Sequence, residues 1–396
     1  MLRRVYLDNN ATTRTDPEVV AKMLPFFSQE FGNASSSHGF GVEVSGAVRE
    51  ARRSVQALLG AAHDHEIVFT SGGTESDNAA ILAGLAAREG RDEIVTTAVE
   101  HPAILSLVEH LQKTRGVAVH LIGVDARGRI DLDAFRAALG PKTAIVSAMW
   151  ANNETGTLFP VEELARLAHE AGALFHTDAV QAVGKIQIDL KTTQIDFLSL
   201  SGHKLHGPKG IGALYVRKGT KFAPFLRGGH QERARRGGTE NAPGIVGLGA
   251  AAELARLRLQ EDAVHIAALR DRLEAGVTQR IGQCQISGDV DNRLVNTSNI
   301  AFSDIEGEAI LTHLDRAGIA ASTGSACTAG STEPSHVLRA MNVPEEALHG
   351  AIRFSLSREN TIEEIDDVLE TLPGIVAKLR EIARASRHTE AQLLTN

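Results

Sequence analysis

A lysine in a confined setting is the first residue of this sequence that could do chemistry. Lys204 ends the motif SGHK, which follows the apolar, strand-like residues 195–200 and leads into a tight turn at 207–210. A single loop lysine is usually a solvated surface residue. An amine held at the end of a rigid strand, however, suits a Schiff base to an aldehyde cofactor, of which pyridoxal phosphate is the commonest. The sequence therefore predicts pyridoxal phosphate as the cofactor and Lys204 as its anchor.

An aspartate at the end of another apolar run is the second candidate. Asp178 follows residues 173–177, which predict a buried strand, and a buried carboxylate needs a partner. Taken alone, it could equally be a helix N-cap or a member of a structural ion pair. Pyridoxal chemistry needs an anion beside the pyridine nitrogen, because a protonated ring accepts electrons. A strand-end aspartate followed by a strand-end lysine favours this role for Asp178.

A glycine turn between a strand and a helix is the third element. Residues 66–69 predict the strand, Gly72 and Gly73 the turn, and residues 79–83 the helix. A glycine-rich turn is often only a connection, but free N–H groups and the positive end of a helix meet there and bind phosphate. Neither G-x-G-x-x-G nor G-x-x-x-x-G-K-[ST] occurs in the sequence, which favours a small phosphorylated cofactor over a nucleotide.

The elements that position these residues follow a layered α/β pattern. Seven strand-like runs alternate with helical or longer connecting segments, which indicates a mainly parallel sheet in a large domain. Ligands bind at the carboxyl ends of the strands of such sheets, and Asp178 and Lys204 lie at those ends. The predicted strands are residues 66–69, 93–97, 118–122, 144–150, 173–177, 195–200 and 211–216.

The remainder of the chain predicts a smaller C-terminal α/β domain. We expect the large domain at 15–255, the small domain at 256–385 and a flexible tail at 386–396. Pro373 and Gly374 should break the last helical region into two helices. The predicted elements are a long helix at 247–281, a strand at 299–302, a helix at 307–317, a strand at 351–356 and the helical region 362–382.

Composition argues against several function classes. The 396 residues carry a formal net charge of -8, which gives no reason to expect a nucleic-acid partner. No apolar run approaches the roughly 20 residues that span a bilayer, and no signal-peptide core follows Met1, so we expect a cytoplasmic protein without a membrane partner. Cys284 and Cys327 are the two cysteines. They are too few for a disulfide framework and lack metal-ligand spacing, so no resident metal is predicted.

The two cysteines differ in their surroundings. Cys284 has the apolar neighbours Ile281 and Ile286, as a buried structural cysteine does. Cys327 lies within residues 321–331, which are almost all small and include two glycines. That composition predicts a mobile loop that carries one thiol.

Seven motifs, spread in order along the chain, carry a resemblance to a known family. They are YLDNNATT (6–13), EHPA (100–103), WANNETGT (150–157), SGHKLHGPKG (201–210), RRGGTEN (235–241), SAC (325–327) and IRFS (352–355). In these motifs the chain resembles the pyridoxal-phosphate-dependent cysteine desulfurases of the class V aminotransferase family, and is most similar to the nitrogen-fixation type. The resemblance implies the fold of a fold-type I transferase, with residues 1–14 packed on the small domain.

The resemblance also implies roles for individual residues. His101 would stack on the pyridine ring and move protons, and Arg353 would bind the substrate carboxylate through two parallel hydrogen bonds. Asn153 and Gln181 would hydrogen-bond the ring oxygen of the cofactor or the substrate. Thr239 would reach the phosphate from a second subunit, which makes the active unit a homodimer. The other phosphate ligands would be Gly73, Thr74, Ser201 and His203.

The same resemblance implies the reaction in which Cys327 takes part. Its thiolate would attack the sulfur of cofactor-bound L-cysteine, so that L-alanine departs and the enzyme keeps a persulfide. The sulfur would pass to an iron–sulfur scaffold protein, which in the nitrogen-fixation type serves nitrogenase. Any iron–sulfur cluster on Cys327 would be transient.

Several other functions are compatible with parts of the pattern. A selenocysteine lyase, a desulfurase for general iron–sulfur assembly and a class V aminotransferase would all use Lys204 and Asp178. The loop cysteine argues against the aminotransferase. A non-enzymatic sulfur-assembly scaffold could lose Lys204 or Cys327, and both are present.

Overall fold

Strands and helices alternate through most of the chain. The computed structural model describes residues 4–324 and 334–394, with side chains as far as residue 385. The strands are β1 (Val5–Tyr6), β2 (Ile67–Thr70), β3 (Glu93–Thr97), β4 (Ala118–Ile122), β5 (Thr143–Ser147), β6 (Leu174–Asp178), β7 (Phe197–Ser201), β8 (Gly212–Val216), β9 (Cys284–Ser287), β10 (Thr297–Phe302), β11 (Ile319–Ala320) and β12 (Ala351–Ser355). The helices are α1 (Pro17–Met23), α2 (Gly39–Leu59), α3 (Gly73–Ala87), α4 (Pro102–Arg115), α5 (Leu132–Ala138), α6 (Val161–Glu170), α7 (Gln231–Ala234), α8 (Ala242–Arg280), α9 (Gly307–Arg316), α10 (His336–Ala340), α11 (Glu345–Leu348) and α12 (Ile362–Leu394).

The large central sheet contains seven strands in the order β2-β8-β7-β6-β5-β3-β4. The pairs β7–β6, β6–β5, β5–β3 and β3–β4 are parallel, and β8 is antiparallel to both of its neighbours. These are the seven strands that the sequence predicts, shifted by a few residues at their ends. The mainly parallel α/β sheet is therefore confirmed.

Both faces of this sheet are buried, as a parallel sheet requires. Successive strand residues point to opposite faces. On β5, Val146 belongs to one apolar cluster, together with side chains of α2 and α6. Its neighbour Ile145 belongs to the other cluster, together with side chains of α3 and α4. The sheet is thus held between two helical layers.

A third apolar cluster forms around the antiparallel sheet β12-β10-β9. Val5 and Leu7 of the N-terminal segment lie in it beside residues of α9 and α12, and β1 pairs with β11 in parallel. The N-terminal residues thus pack with the C-terminal part of the chain. The exact domain boundaries, and the flexibility of residues 386–396, remain predictions; the backbone of α12 is helical to Leu394.

The predicted break at Pro373 and Gly374 is wrong, because α12 is one helix that contains Pro373. A proline in a helix removes the hydrogen bond to the carbonyl four residues earlier, which here is that of Leu369. The Arg280 guanidinium donates to this carbonyl oxygen at 2.8 Å. The buried side chains of Leu372 and Val376 continue the same apolar face on both sides of the proline, so packing favours an uninterrupted helix.

Across the described ranges, 4–324 and 334–394, every helix is too short or too polar to cross a lipid bilayer.

Two helical glycines should respond oppositely to alanine. Gly374 is exposed and a Cβ there would meet no atom within 4 Å, so Gly374→Ala should stabilise the protein by about 0.5–1 kcal/mol through helix propensity. A Cβ on Gly276 of α8 would lie 2.5 Å from Leu369 Cδ1 in the small core, so Gly276→Ala should destabilise by about 1–3 kcal/mol. Urea denaturation of both variants measures the sign, and a stabilised Gly276→Ala variant would contradict this packing.

Candidate active site

The carboxyl ends of β6 and β7 lie side by side, and a cavity of about 250 Å³ is located there. Asp178 is the last residue of β6, and Lys204 lies in the short helical turn Gly202–Lys204 that follows β7. The fold therefore brings together side chains that are far apart in the sequence. The predicted residues that line the cavity are Gly73, Thr74, His101, Asn153, Asp178, Gln181, Ser201, His203, Lys204 and Arg353.

The Lys204 ammonium is held by the N-terminal motif. Its Nζ donates to the backbone oxygen of Asn10 at 2.5 Å and to that of Ala11 at 2.8 Å. The Asn10 oxygen also accepts a hydrogen bond from Gln181 Nε2 at 3.0 Å. Residues near the start of the chain thus form one wall of the site.

Asp178 and His101 are electrostatically linked inside the cavity. The buried Asp178 carboxylate accepts a hydrogen bond from the Val180 N–H at 2.9 Å. Burial raises the pKa of Asp178, and the nearby His101 and Lys204 oppose the rise. Burial lowers the pKa of His101, and Asp178 opposes that change. A carboxylate in this setting is stabilised by a cation placed next to it.

The tautomer of His101 follows from its place before α4. Its Nδ1 accepts a hydrogen bond from the Ala103 N–H at 3.1 Å, so the neutral ring carries its proton on Nε2. This hydrogen bond thereby fixes the orientation of the His101 imidazole, which lines the cavity.

The turn between β2 and α3 is shaped for a phosphate. A Cβ on Gly73 would lie 2.8 Å from Val180 Cγ2, so a larger residue would disturb the wall of the cavity. The first N–H groups of a helix have no partner inside the helix and attract anions. Thr74, Ser201 and His203 line an adjoining opening of the cavity. This cradle, the buried Asp178 and Lys204 together fit pyridoxal phosphate.

Arg353 on β12 is a buried guanidinium with several partners. Its Nη2 pairs with Asp8 Oδ1 at 2.8 Å, and its Nη1 donates to the backbone oxygen of Asn153 at 3.0 Å and to that of Gly324. Its Nε has no hydrogen-bond partner among the described residues. An unsatisfied buried donor of this kind is a suitable ligand for a carboxylate.

Thr239 and Cys284 are described and lie away from the cavity. Thr239 is exposed on the segment after Gly238 and is not part of the cavity lining in the described structure. Cys327 lies outside the described residues. Cys284 begins β9 half-buried, and its Sγ donates to the Ile281 oxygen at 3.1 Å; burial raises the pKa of its thiol.

Asn10 and Asp77 line the cavity, although the sequence did not single them out. Asp77 is buried in α3, and its Oδ1 lies 3.5 Å from His176 Nε2 without a hydrogen-bond partner in the described part of the chain. Burial, followed by the charge of Asp178, raises the pKa of Asp77. Its position four residues after Gly73, on the same helix face, is the sequence signal that could have identified it.

Comparisons with known proteins find relatives of one family along most of the chain. The model of the family "Aminotransferase class-V" matches residues 5–368. A cysteine desulfurase of Gluconacetobacter diazotrophicus is 67% identical over 382 residues, which cover 96% of each chain. Cysteine desulfurase NifS of Azotobacter vinelandii is 60% identical over 379 residues, 96% of this chain and 94% of that protein. A solved NifS-like protein superposes with a TM-score of 0.89 at 39% identity, covering 95% and 100%. The predicted fold-type I class is thereby confirmed.

The buried His176 on β6 should make stability depend on pH. Burial lowers its pKa to about 3, whereas an unfolded histidine titrates near 6.5. The unfolded state therefore binds the proton first, and this contribution to stability is complete above about pH 6.5 and is lost as the pH falls toward 3. In His176→Gln, the slope of unfolding free energy between pH 6 and 4 should be shallower by up to about 1.4 kcal/mol per pH unit.

Urea denaturation at several pH values measures that slope, and the exposed His110→Gln serves as a matched control. A His176→Gln slope equal to that of the unchanged protein would remove His176 from this role.

Proposed function

The chain belongs to the aminotransferase class-V family, and from this premise we propose that it is a cysteine desulfurase. It converts L-cysteine to L-alanine and keeps the sulfur as a persulfide on Cys327. The observation that carries the proposal is one cavity lined by Lys204, Asp178, His101 and Arg353. The 60–67% identity to cysteine desulfurases supports the choice of substrate.

Pyridoxal phosphate is the cofactor of this family in general, and we infer that this chain binds it through Lys204. When bound, it withdraws electrons from the carbon that carries the substrate amino group. Asp178 would hold the ring nitrogen in its protonated form, and His101 would stack on the ring. Gln181 and Asn153 would hydrogen-bond the ring oxygen or the substrate. The phosphate would be held by Gly73, Thr74, Ser201, His203 and, from a second subunit, Thr239.

Each remaining step falls to a side chain of this protein. Lys204 Nζ takes the proton from the substrate Cα and returns it, which it does as a neutral amine with a lone electron pair, and it lies in the cavity where that proton would be. His101 moves a proton through Nε2, because its Nδ1 is engaged by the Ala103 N–H. Arg353 binds the substrate carboxylate, for which its Nε is available among the described contacts.

The atoms and electrons of the sulfur transfer balance between L-cysteine and the Cys327 thiol, with no further reactant. The Cβ–S bond of L-cysteine breaks, an S–S bond to Cys327 forms, and the carbon that lost sulfur takes a proton, so that L-alanine and a persulfide result. Gly324 lines the cavity, and Cys327 follows three residues later. Chain connectivity limits the distance between their Cα atoms to about 11 Å, which allows the thiol to reach the substrate.

We further propose a cytoplasmic homodimer that passes sulfur to an iron–sulfur scaffold protein, for nitrogenase assembly. The side chains of Phe27, Phe31 and Phe40 are 64%, 66% and 58% exposed. Exposed apolar groups of this kind mark interaction sites, which supports a second subunit covering them. The relative named NifS supports the acceptor. A desulfurase for general iron–sulfur assembly, or a selenocysteine lyase, would use the same side chains.

The assignment of the sulfur acceptor is tested by two cysteine variants. Cys327→Ser should bind L-cysteine with the usual change in cofactor absorbance, yet produce almost no alanine, because a serine hydroxyl is a poor nucleophile at neutral pH. Cys284→Ser, whose thiol lies in β9, should remain close to the unchanged protein. The measurements are alanine formation and mass spectrometry for one added sulfur on the Cys327 peptide. Equal activity loss in both variants would contradict the assignment.

Lys204→Ala should abolish both turnover and the covalent link to the cofactor, because Lys204 is the lysine in the cavity at the end of β7. The link is measured by borohydride reduction followed by peptide mass spectrometry. Lys209→Ala, an exposed lysine of the same motif, is the matched control and should keep the link. Retention of a reducible link in Lys204→Ala would locate the anchor at another lysine.

A further inference from the structure

The segment before Thr239 has a backbone shape that side chains ordinarily avoid. Glu232, Arg233 and Ala234 of α7 are consecutive non-glycine residues with φ of 48°, 59° and 61°, so this short element is a left-handed turn and not a right-handed helix. Left-handed backbone is unfavourable for L residues and occurs as single residues far more often than in runs. A run of this kind persists only where the surroundings determine it, and such strain concentrates at functional sites.

One buried ion pair holds this turn. Arg52 of α2 forms two parallel hydrogen bonds to the Glu232 carboxylate, both at 2.6 Å, and the Phe69 N–H donates to the same carboxylate at 3.0 Å. The other support for Arg52 is the Ile67 oxygen at 2.8 Å and the Phe69 ring 4.5 Å from its Cζ. Both charged side chains are buried. Removing water from two charges is costly, so the presence of a buried pair is weak evidence that it stabilises the fold.

The pair connects the turn to the phosphate cradle. Phe69 belongs to β2, which leads through Gly72 into the first turn of α3. A second contact lies nearby, where Arg236 Nε donates to Glu75 Oε1 at 3.0 Å. Thr239 follows Arg236 by three residues, yet its exposed side chain is separate from the cavity lining of its own chain as described. A hydroxyl presented outward in this way can serve a site on another copy.

We propose that Arg52 and Glu232 are positioning residues that hold the left-handed turn so that Thr239 reaches the cofactor phosphate of a second copy of this chain. The proposal rests on the homodimer and the cofactor of the proposed function. Its distinctive consequence is that the ion pair of one subunit determines cofactor affinity in the other subunit.

Glu232→Gln removes the charge while it keeps the shape. In its homodimer, both sites receive a displaced Thr239, and cofactor affinity should fall about tenfold, the effect of losing a hydrogen bond to a charged group. Thr239→Ala should cause a similar loss, and the double variant should be no weaker than either single variant. The measurement is an absorbance titration with pyridoxal phosphate.

Mixed dimers, prepared with two different affinity tags, separate action across the interface from action within one chain. In the first mixed dimer, one subunit carries Glu232→Gln and the other carries Lys204→Ala. The subunit that keeps Lys204 forms the covalent link, and it receives Thr239 from the subunit that keeps Glu232. In the second mixed dimer, one subunit carries both substitutions and the other is unchanged. The unchanged subunit forms the covalent link, and it receives the displaced Thr239 of the doubly substituted subunit. Both dimers carry the same two substitutions. The cofactor concentration needed for the borohydride-trapped link should be normal in the first and about tenfold higher in the second.

The reverse order, or equal affinities in the two mixed dimers, would overturn the proposal, as would normal affinity in the Glu232→Gln homodimer or tight cofactor binding by a monomer.

Arg52→Lys provides a second test, because a lysine cannot form the two parallel hydrogen bonds. If Glu232→Gln fails to fold, Arg52→Lys should give the same pattern of cofactor affinities in its place. Alanine formation from L-cysteine by the unchanged protein is measured separately. Its absence would contradict the desulfurase activity and leave the result of the affinity comparison unaffected.

Discussion

The electrostatic constraint on which this structure depends is the burial of Asp178 at the end of β6. Water is largely excluded from the carboxylate, so burial raises its pKa, and the nearby His101 and Lys204 oppose that rise. Asp77 lies in the same cavity, and its pKa is raised as well, by burial and then by Asp178. Two close carboxylates do not both ionise easily. The cavity therefore favours a cationic group at Asp178, which is the condition that an electron-withdrawing ring nitrogen requires.

The N-terminal motif connects this electrostatic centre to the rest of the chain. Asn10 accepts hydrogen bonds from Lys204 and Gln181 through its backbone oxygen, and its side-chain amide donates to Thr297 Oγ1 at 2.8 Å. Leu7, three residues earlier, is fully buried in the apolar cluster of the C-terminal part. One short segment thus joins the central sheet, the small core and the candidate catalytic lysine. These contacts are a physical reason for the small and polar residues of this segment.

Periodicity predicted the central sheet well because its strands are short apolar runs that end in polar residues. Asp178 and Lys204 were predictable for the same reason, since strand ends in a parallel sheet meet at one edge. The continuity of α12 through Pro373 was not predictable, because Arg280, which satisfies the freed carbonyl, is distant in sequence. The left-handed turn at Glu232 was equally hidden, since no glycine marks it and its partner Arg52 lies on another helix. Both failures have one cause: long-range polar contacts override local preference.

Arg353 illustrates how closely support and function are combined in this site. Its guanidinium joins Asp8 of the N-terminal motif, Asn153 of the turn after β5 and Gly324 at the end of the described segment. Replacing it with lysine would leave several of these acceptors without a donor, because an ammonium cannot reproduce the planar arrangement of a guanidinium. Loss of activity in such a variant would therefore combine lost substrate binding with a disturbed site. Arg353 is thus a residue whose structural contacts and proposed binding role cannot be removed one at a time by a single substitution.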